Sequence, residues 1–242
     1  MLSVVIPVYN EQDNVESLVR EVVGAQKNTP ITEIVFVDDA STDGTVRILK
    51  ALKKEFPIVR IVQHGVQAGQ SAAMYTGAQA AQGSLVVFLD GDGQNDPADI
   101  PLLYRAYETT KTDQGRLLVA GQRRKRQDSF LKKISSRIAN AIRAGLLKDQ
   151  TRDTGCSLKL MRRADYIALP FFNHMHRYIP ALMLRQGVEI VHVDVSHRAR
   201  ERGVSKYGFW DRLWAGIFDL GGVLWLLKRM RPANFYIQDS TE

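Results

Sequence analysis

Cysteine is nearly missing: Cys156 stands alone among 242 residues, which excludes a disulfide within the chain and points to a reducing, cytoplasmic setting. A long apolar run is missing too. The segment Leu213–Leu227 is fifteen residues broken by Asp219. As a helix it spans about 22 Å at ~1.5 Å per residue, short of the ~30 Å hydrocarbon core. It reads as an interfacial or re-entrant element, or as a helix buried on the domain. The opening MLSVVIPVYNEQDN has no basic flank before its apolar run and no small-residue cleavage site after it, so it reads as a strand and not as a signal peptide. Repeats and an internal linker are also absent. What remains is one α/β domain over residues 1–211, followed by an amphipathic tail over 212–242 that either associates with a membrane or packs on the domain.

Charge of one sign is in excess. Thirty-three Lys and Arg against twenty-six Asp and Glu give a formal net charge of +7, which favours an anionic partner: nucleic acid, a phosphorylated substrate or acidic lipid. No helix-turn-helix, zinc or aromatic RNA-binding pattern accompanies that charge, so nucleic acid is not expected.

The hydrophobic pattern alternates strand and helix. Leu2–Val8, Glu33–Val37, Val59–Gln63 and Ser84–Leu89 read as strands. Asn14–Val23, the segment opened by residues 41–44 and running through Lys54, and Gln70–Ala81 read as helices. Such alternation implies a mostly parallel, Rossmann-like sheet flanked by helices. The run at 85–89, apolar throughout, belongs at its centre. Ligands of such sheets bind at the carboxyl ends of strands, where YNE (9–11), DDAS (38–41) and DGDGQ (90–94) all fall. Beyond residue 121 the pattern loosens into a basic stretch, a weakly helical segment to Leu147, and strands near Leu158 and over Glu189–Val195.

Asp90 and Asp92 follow a buried strand at a spacing of two, with glycines that let a ligand approach the backbone. Oxygen ligands so placed suit Mg²⁺ or Mn²⁺, whose shell is commonly completed by substrate phosphates. The same residues also suit a plain polar turn. Asp38 and Asp39 end a strand where a carboxylate can accept from a base or ribose hydroxyl, and Ser41 is placed to cap the next helix. His174 and His176 lack companions at a closed metal-site spacing and read as packing or surface residues.

The ordered set VVIPVYNE, VFVDDASTDGT and VVFLDGDGQNDP resembles family 2 glycosyltransferases. With AGQRR near 120, RDTGCSLKLMRR from 152 and RARERGVSKYG from 198, it is most similar to dolichyl- and polyprenyl-phosphate sugar synthases, over residues 2–228. The resemblance implies a GT-A fold and an inverting, metal-dependent transfer from a nucleotide-sugar, GDP-mannose by weak preference, to a polyprenyl phosphate at the cytoplasmic face of a membrane. A family 2 enzyme acting on a saccharide or other hydroxyl from a UDP-sugar is the alternative. By the resemblance, Pro7, Tyr9 and Glu11 hold the nucleoside, and Asp38 or Asp39 reads the base. Asp90, Gly91, Asp92 and Gln94 serve the metal and diphosphate, with Asp92 and Gln94 the metal ligands and Asp90 facing ribose or sugar. Arg123, Arg200 and Lys206 close over phosphates, and Asp153 is a catalytic helper. A common form of the metal motif carries Ala and Leu where this chain has Gly91 and Gly93.

Trp214 and Trp225 suit a lipid headgroup level, and Lys228, Arg229 and Arg231 suit anionic lipid. The stretch 123–137 mixes cations with Phe130, Leu131 and Ile134 at helical spacing, as membrane contact or an acceptor phosphate would require.

Overall fold

The computed structural model describes residues 1–110, 112, 115–123, 145–147, 149, 151, 153–198 and 209–229, with backbone alone for 209–215 and 217. Arg200, Lys206, Trp214, Arg231 and positions 124–137 of the basic stretch therefore lie outside the described side chains.

Seven strands form one sheet in the order β3-β2-β1-β4-β6-β5-β7. They are β1 (Leu2–Val8), β2 (Ile31–Asp38), β3 (Val59–Gln63), β4 (Leu85–Phe88), β5 (Leu117–Arg123), β6 (Lys159–Arg162) and β7 (Glu189–Val195). β1 pairs in parallel with β2 and β4, β2 with β3, and β5 with β7. Only β6 runs against its neighbours β4 and β5. The apolar run at 85–89 does hold the middle place, as a strand buried on both faces should.

Among the described residues the helices that cover the faces are α1 (Val15–Ala25), α2 (Thr45–Glu55), α3 (Gln70–Ala80), α4 (Ile100–Thr109), α5 (Arg163–Ile167), α6 (Ile179–Arg185) and α7 (Phe209–Arg229). Strand alternation divides the core in two. Leu2, Val4, Ile6 and Val8 of β1 pack with α1, α2 and α4, while Val5 of the same strand faces α3. α1 buries Val15, Leu18, Val19 and Val22, the spacing of one helical face. α3 is built differently, from small residues. A Cβ on Gly77 would lie 2.3 Å from Val5 Cγ1 and 2.9 Å from Val37 Cγ2, so this helix sits on the sheet at a distance that only glycine permits there. Its amino end is thereby pressed toward the carboxyl ends of β1 and β4.

α7 begins at Phe209, before the expected boundary at 211, and it packs on the domain. Val223 is 2% exposed, and Leu220, Leu224 and Leu227 pack against the α3/α6 core. Tyr178 donates to the Gly216 carbonyl at 3.4 Å, Arg185 Nε to the Leu227 carbonyl at 2.9 Å, and His174 Nδ1 to Asp219 at 2.8 Å. The opposite stripe, Phe218, Gly221, Gly222 and Trp225, faces outward, with Phe218 at 75% and Trp225 at 63% exposure. Among the described residues no helix is long and apolar enough to cross a membrane.

Candidate active site

β1 and β4 are neighbours, but the chain winds outward from β1 through β2 to β3 before returning to β4. The crevice therefore opens at the carboxyl ends of β1 and β4, the point where the winding reverses. The loops there are stitched together. Asn10, at φ +55°, donates its N–H to Ser41 Oγ at 2.9 Å and accepts from the Thr42 N–H at 2.8 Å. The Glu11 N–H donates to Thr45 Oγ1 at 2.9 Å, and the Glu11 carboxylate accepts from Asn14 Nδ2 at 2.7 Å. Ser41 is thus no helix cap. It binds the β1 loop, while Asp43 accepts the Thr45 N–H at 2.9 Å at the start of α2. Pro7 lies in register with Val37, and Tyr9 is half-buried just beyond.

Asp38 and Asp39 are both buried but differently used. Asp39 accepts from the Ala68 and Gly69 N–H groups and from His64 Nδ1, each at 2.8 Å, and so fixes the loop leading into α3. Asp38 Oδ2 accepts from the Ser41 N–H at 3.2 Å, while its Oδ1 is buried with no partner among the described residues. An orphaned buried carboxylate oxygen calls for a donor from a ligand or water.

Asp90 lies at the crevice floor, where Oδ1 accepts from Gln70 Nε2 of α3 at 2.7 Å. Desolvation, and next the charge of Asp92, push its carboxyl up to about 6; a Ser157 hydrogen bond and the charges of Lys159 and Arg123 oppose this. Asp92 accepts from the Gln94 N–H at 3.1 Å, which curls the loop. Gly93 supports that curl at φ +73°, and a Cβ on Gly91 would lie 2.7 Å from Val8 Cγ1 and 2.8 Å from the Pro7 carbonyl. The two glycines that depart from the common motif thus let the loop lie flat against the end of β1. Among the described residues no group of three His, Cys, Asp or Glu is arranged to hold a metal. Two mutually repelling carboxylates instead fit a hard divalent ion that takes the rest of its shell from phosphates.

Arg123, at the end of β5, grips Asp153 with two bonds of 2.6 Å, and both side chains are largely buried. This pair stands behind Asp90. Sequence reasoning missed three residues here: Gln70, Ser157 and Lys159. Because β6 runs antiparallel, its first residue Lys159 falls beside Phe88 at the carboxyl edge of β4, two residues short of Asp90. Lys159 is 2% exposed and donates to the Cys156 carbonyl; burial lowers its pKa. The signal was a lone lysine inside the apolar strand SLKLM. Ser157 donates to Asn95 at 2.7 Å, which joins the β6 approach to the metal loop.

An acidic crevice at the carboxyl ends of a mostly parallel sheet is the plan of a glycosyltransferase of GT-A architecture. The model of Glycosyl transferase family 2 matches residues 3–169, and the chain belongs to that family. Its relatives include the dodecaprenyl-phosphate galacturonate synthase of Rhizobium johnstonii, 38% identical over 97% of this chain and 70% of the relative. They also include the undecaprenyl-phosphate 4-deoxy-4-formamido-L-arabinose transferase of Photorhabdus laumondii, 35% identical over 86% of this chain and 63% of the relative. The chain thus spans under two thirds of the second relative. Among solved structures, glucosyl-3-phosphoglycerate synthase of Mycobacterium tuberculosis, crystallised with Mn²⁺ and UDP, shares the fold at TM-score 0.68 and 20% identity, over 96% of this chain and 81% of that one. Mannosyl-3-phosphoglycerate synthase of Rubrobacter xylanophilus does so at 0.71 and 15%, over 96% and 76%.

Proposed function

We propose that this glycosyltransferase moves a sugar, with inversion, from a nucleotide-sugar to a polyprenyl phosphate. The observation that carries the reading is the 38% identity to a dodecaprenyl-phosphate galacturonate synthase, which extends over 97% of the chain and not over the nucleotide-binding half alone. The site supports it. Pro7, Tyr9, Glu11 and Asp38 line the nucleoside end, where Asp38 Oδ1 has acceptor capacity to spare. Asp92 and Gln94 would hold Mg²⁺ or Mn²⁺, with Asp90 facing the sugar. The bound ion would neutralise charge on the departing nucleoside diphosphate. A phosphate monoester has its second pKa at about 6, so the acceptor is anionic near neutral pH and needs no strong general base. Catalysis then reduces to holding the acceptor oxygen in line with the anomeric carbon. Arg123, Arg200 and Lys206 are assigned to phosphates on the sequence resemblance.

A hydroxyl acceptor, by contrast, needs a base. Asp153 is the candidate, and both its oxygens are taken up by Arg123 at 2.6 Å, which counts against that reading. The outward stripe of α7, ending in Lys228 and Arg229, supports attachment at an anionic membrane surface, taken to be the cytoplasmic face.

The test is incubation with Mn²⁺ or Mg²⁺, a polyprenyl phosphate and a panel of GDP-mannose and UDP-linked hexoses, uronates and amino sugars, with Asp92→Ala as control. A metal-dependent glycolipid formed from one donor and lost in the variant supports the assignment and names the sugar. Donor hydrolysis without lipid product overturns the acceptor.

A further inference from the structure

The acidic loop after β4 contains two glycines where the common motif has side chains, and Gly93 lies between Asp92 and Gln94, the two residues assigned to the metal. Glycine loses more conformational freedom on ordering than any other residue, so a loop built this way holds its ligands in place only when both of its ends are tied. On the β4 side, Gln70 of α3 holds Asp90 at 2.7 Å. On the far side the tie comes from the chain just past β7.

There residues 196–198 run beside 94–99. The Arg198 N–H donates to the Gln94 carbonyl at 2.9 Å, and the Ser196 N–H donates to Asp99 at 2.6 Å. The Arg198 guanidinium meets Asp96 through Nη2 at 2.8 Å and Glu21 of α1 through Nη1 at 2.6 Å. Asp96 uses the same oxygen, Oδ1, to accept the Ala98 N–H at 2.9 Å, so Arg198 grips the residue that turns the loop toward α4. Asn95, between these two contacts, is buried and accepts from Ser157 at 2.7 Å. Each of residues 94–96 is thus tied to another element, two of the three by Arg198. In the sequence Arg198 is only the first of three arginines at alternate positions in RARERGVSKYG.

The arginine side chain is 40% exposed, and ion pairs so open to water add little to global stability. The consequence of these contacts is therefore local, at the loop they bracket. We propose that Arg198 is a positioning residue for the metal loop: by anchoring Asp96 and the Gln94 carbonyl from the end of β7, it sets Asp92 and Gln94 at the spacing a divalent cation requires. The inference rests on the assignment of Asp92 and Gln94 as the metal ligands.

Charge and position predict opposite signs here. Removing a cation beside an acidic loop should, by charge alone, tighten a divalent ion, whereas releasing the loop should weaken it. Mn²⁺ would be titrated into the full chain with UDP present, followed by loss of the free-ion electron paramagnetic resonance signal, with Asp92→Ala as control. Arg198→Ala should weaken Mn²⁺ roughly 10- to 100-fold, the usual effect of removing a group that orients a metal's ligands, and should lower the melting temperature by only about 1 to 3 °C. Arg198→Lys should recover only part of the affinity, since one ammonium cannot reproduce the planar fork that holds two carboxylates. Glu21→Gln, whose amide oxygen still accepts from Arg198, should leave Mn²⁺ affinity unchanged. In steady state the loss in Arg198→Ala should fall on the Mn²⁺ concentration giving half-maximal rate, with kcat at saturating Mn²⁺ retained.

Unchanged or tighter Mn²⁺ binding in Arg198→Ala, with binding abolished in Asp92→Ala, overturns the positioning role and leaves the metal site standing. Full recovery in Arg198→Lys, or an equal loss in Glu21→Gln, also overturns it. Mn²⁺ binding that survives in Asp92→Ala overturns the ligand assignment, and the positioning role with it. Should Arg198→Ala not fold, Arg198→Gln, which keeps the stem and one donor, carries the same test.

Discussion

Asp90 and Asp92 divide their labour by environment: Asp90 is held by Gln70 with its pKa raised to about 6, and Asp92 curls the loop through the Gln94 amide. Replacing Asp92 by Asn keeps the shape and removes charge. Turnover should fall by roughly 100-fold with an unchanged melting temperature, and the remaining activity should lose its response to a Mn²⁺ titration. His176 gives a second prediction, about acid stability. An unfolded histidine takes up a proton near pH 6.5, whereas folded His176 stays neutral down to about pH 3. Between those values the unfolded chain binds the extra proton, so stability falls as pH drops. His176→Gln abolishes this component, and the loss in unfolding free energy between pH 7 and pH 5 should shrink by about 2 kcal/mol in denaturant titrations.

Single elements carry two further consequences. α3 rests on the sheet at Gly77, where any Cβ would enter the space of Val5 and Val37. Gly77→Ala should cost about 1 to 3 kcal/mol in denaturant unfolding, and it should raise the donor KM as well, because α3 carries Gln70 and Ser71 into the crevice. α7 has two apolar faces with separate duties. Phe218→Glu combined with Trp225→Glu should weaken binding to anionic vesicles with little change in melting temperature, while Val223→Asp should lower the melting temperature by burying a charge. Equal effects of both changes on vesicle binding and melting would show that the outward stripe is not a separate surface.

The net charge of +7 acts at the scale of the whole molecule. Association with vesicles containing anionic lipid should weaken steeply between low and physiological salt, as the Debye length contracts from ~30 Å at 0.01 M to ~8 Å at 0.15 M, and binding to neutral vesicles should respond far less. Co-sedimentation across a salt series would measure both.

Much of the architecture is legible in the sequence. β1, β3 and β7 have the bounds read from the pattern, and β2, β4 and α1 to α3 differ by a few residues at their ends. These segments repeat strand and helix with strong period, so local sequence is enough. The pattern did not resolve α4, β5, α5 and α6. α5 and α6 are short at 5 and 7 residues, and in them tertiary burial outweighs a weak local signal. Three polar clusters at strand ends were likewise legible, because a parallel sheet brings every carboxyl end to one edge.

By itself, then, the sequence determined the alternating plan, the edge where chemistry sits, and the acidic loop at its centre, since each depends on neighbours along the chain. Tertiary structure alone decided what depends on distant neighbours. It reversed β6 and so placed Lys159 behind Asp90, and it bound Asp39 to the 64–69 loop while leaving Asp38 Oδ1 unpartnered. It locked Arg123 onto Asp153, 30 positions away, and joined Ser71 to His176 across 105. Chain periodicity records which face a residue lies on; which group meets it across a crossover is fixed only when the two cores close and each buried polar atom must find a partner.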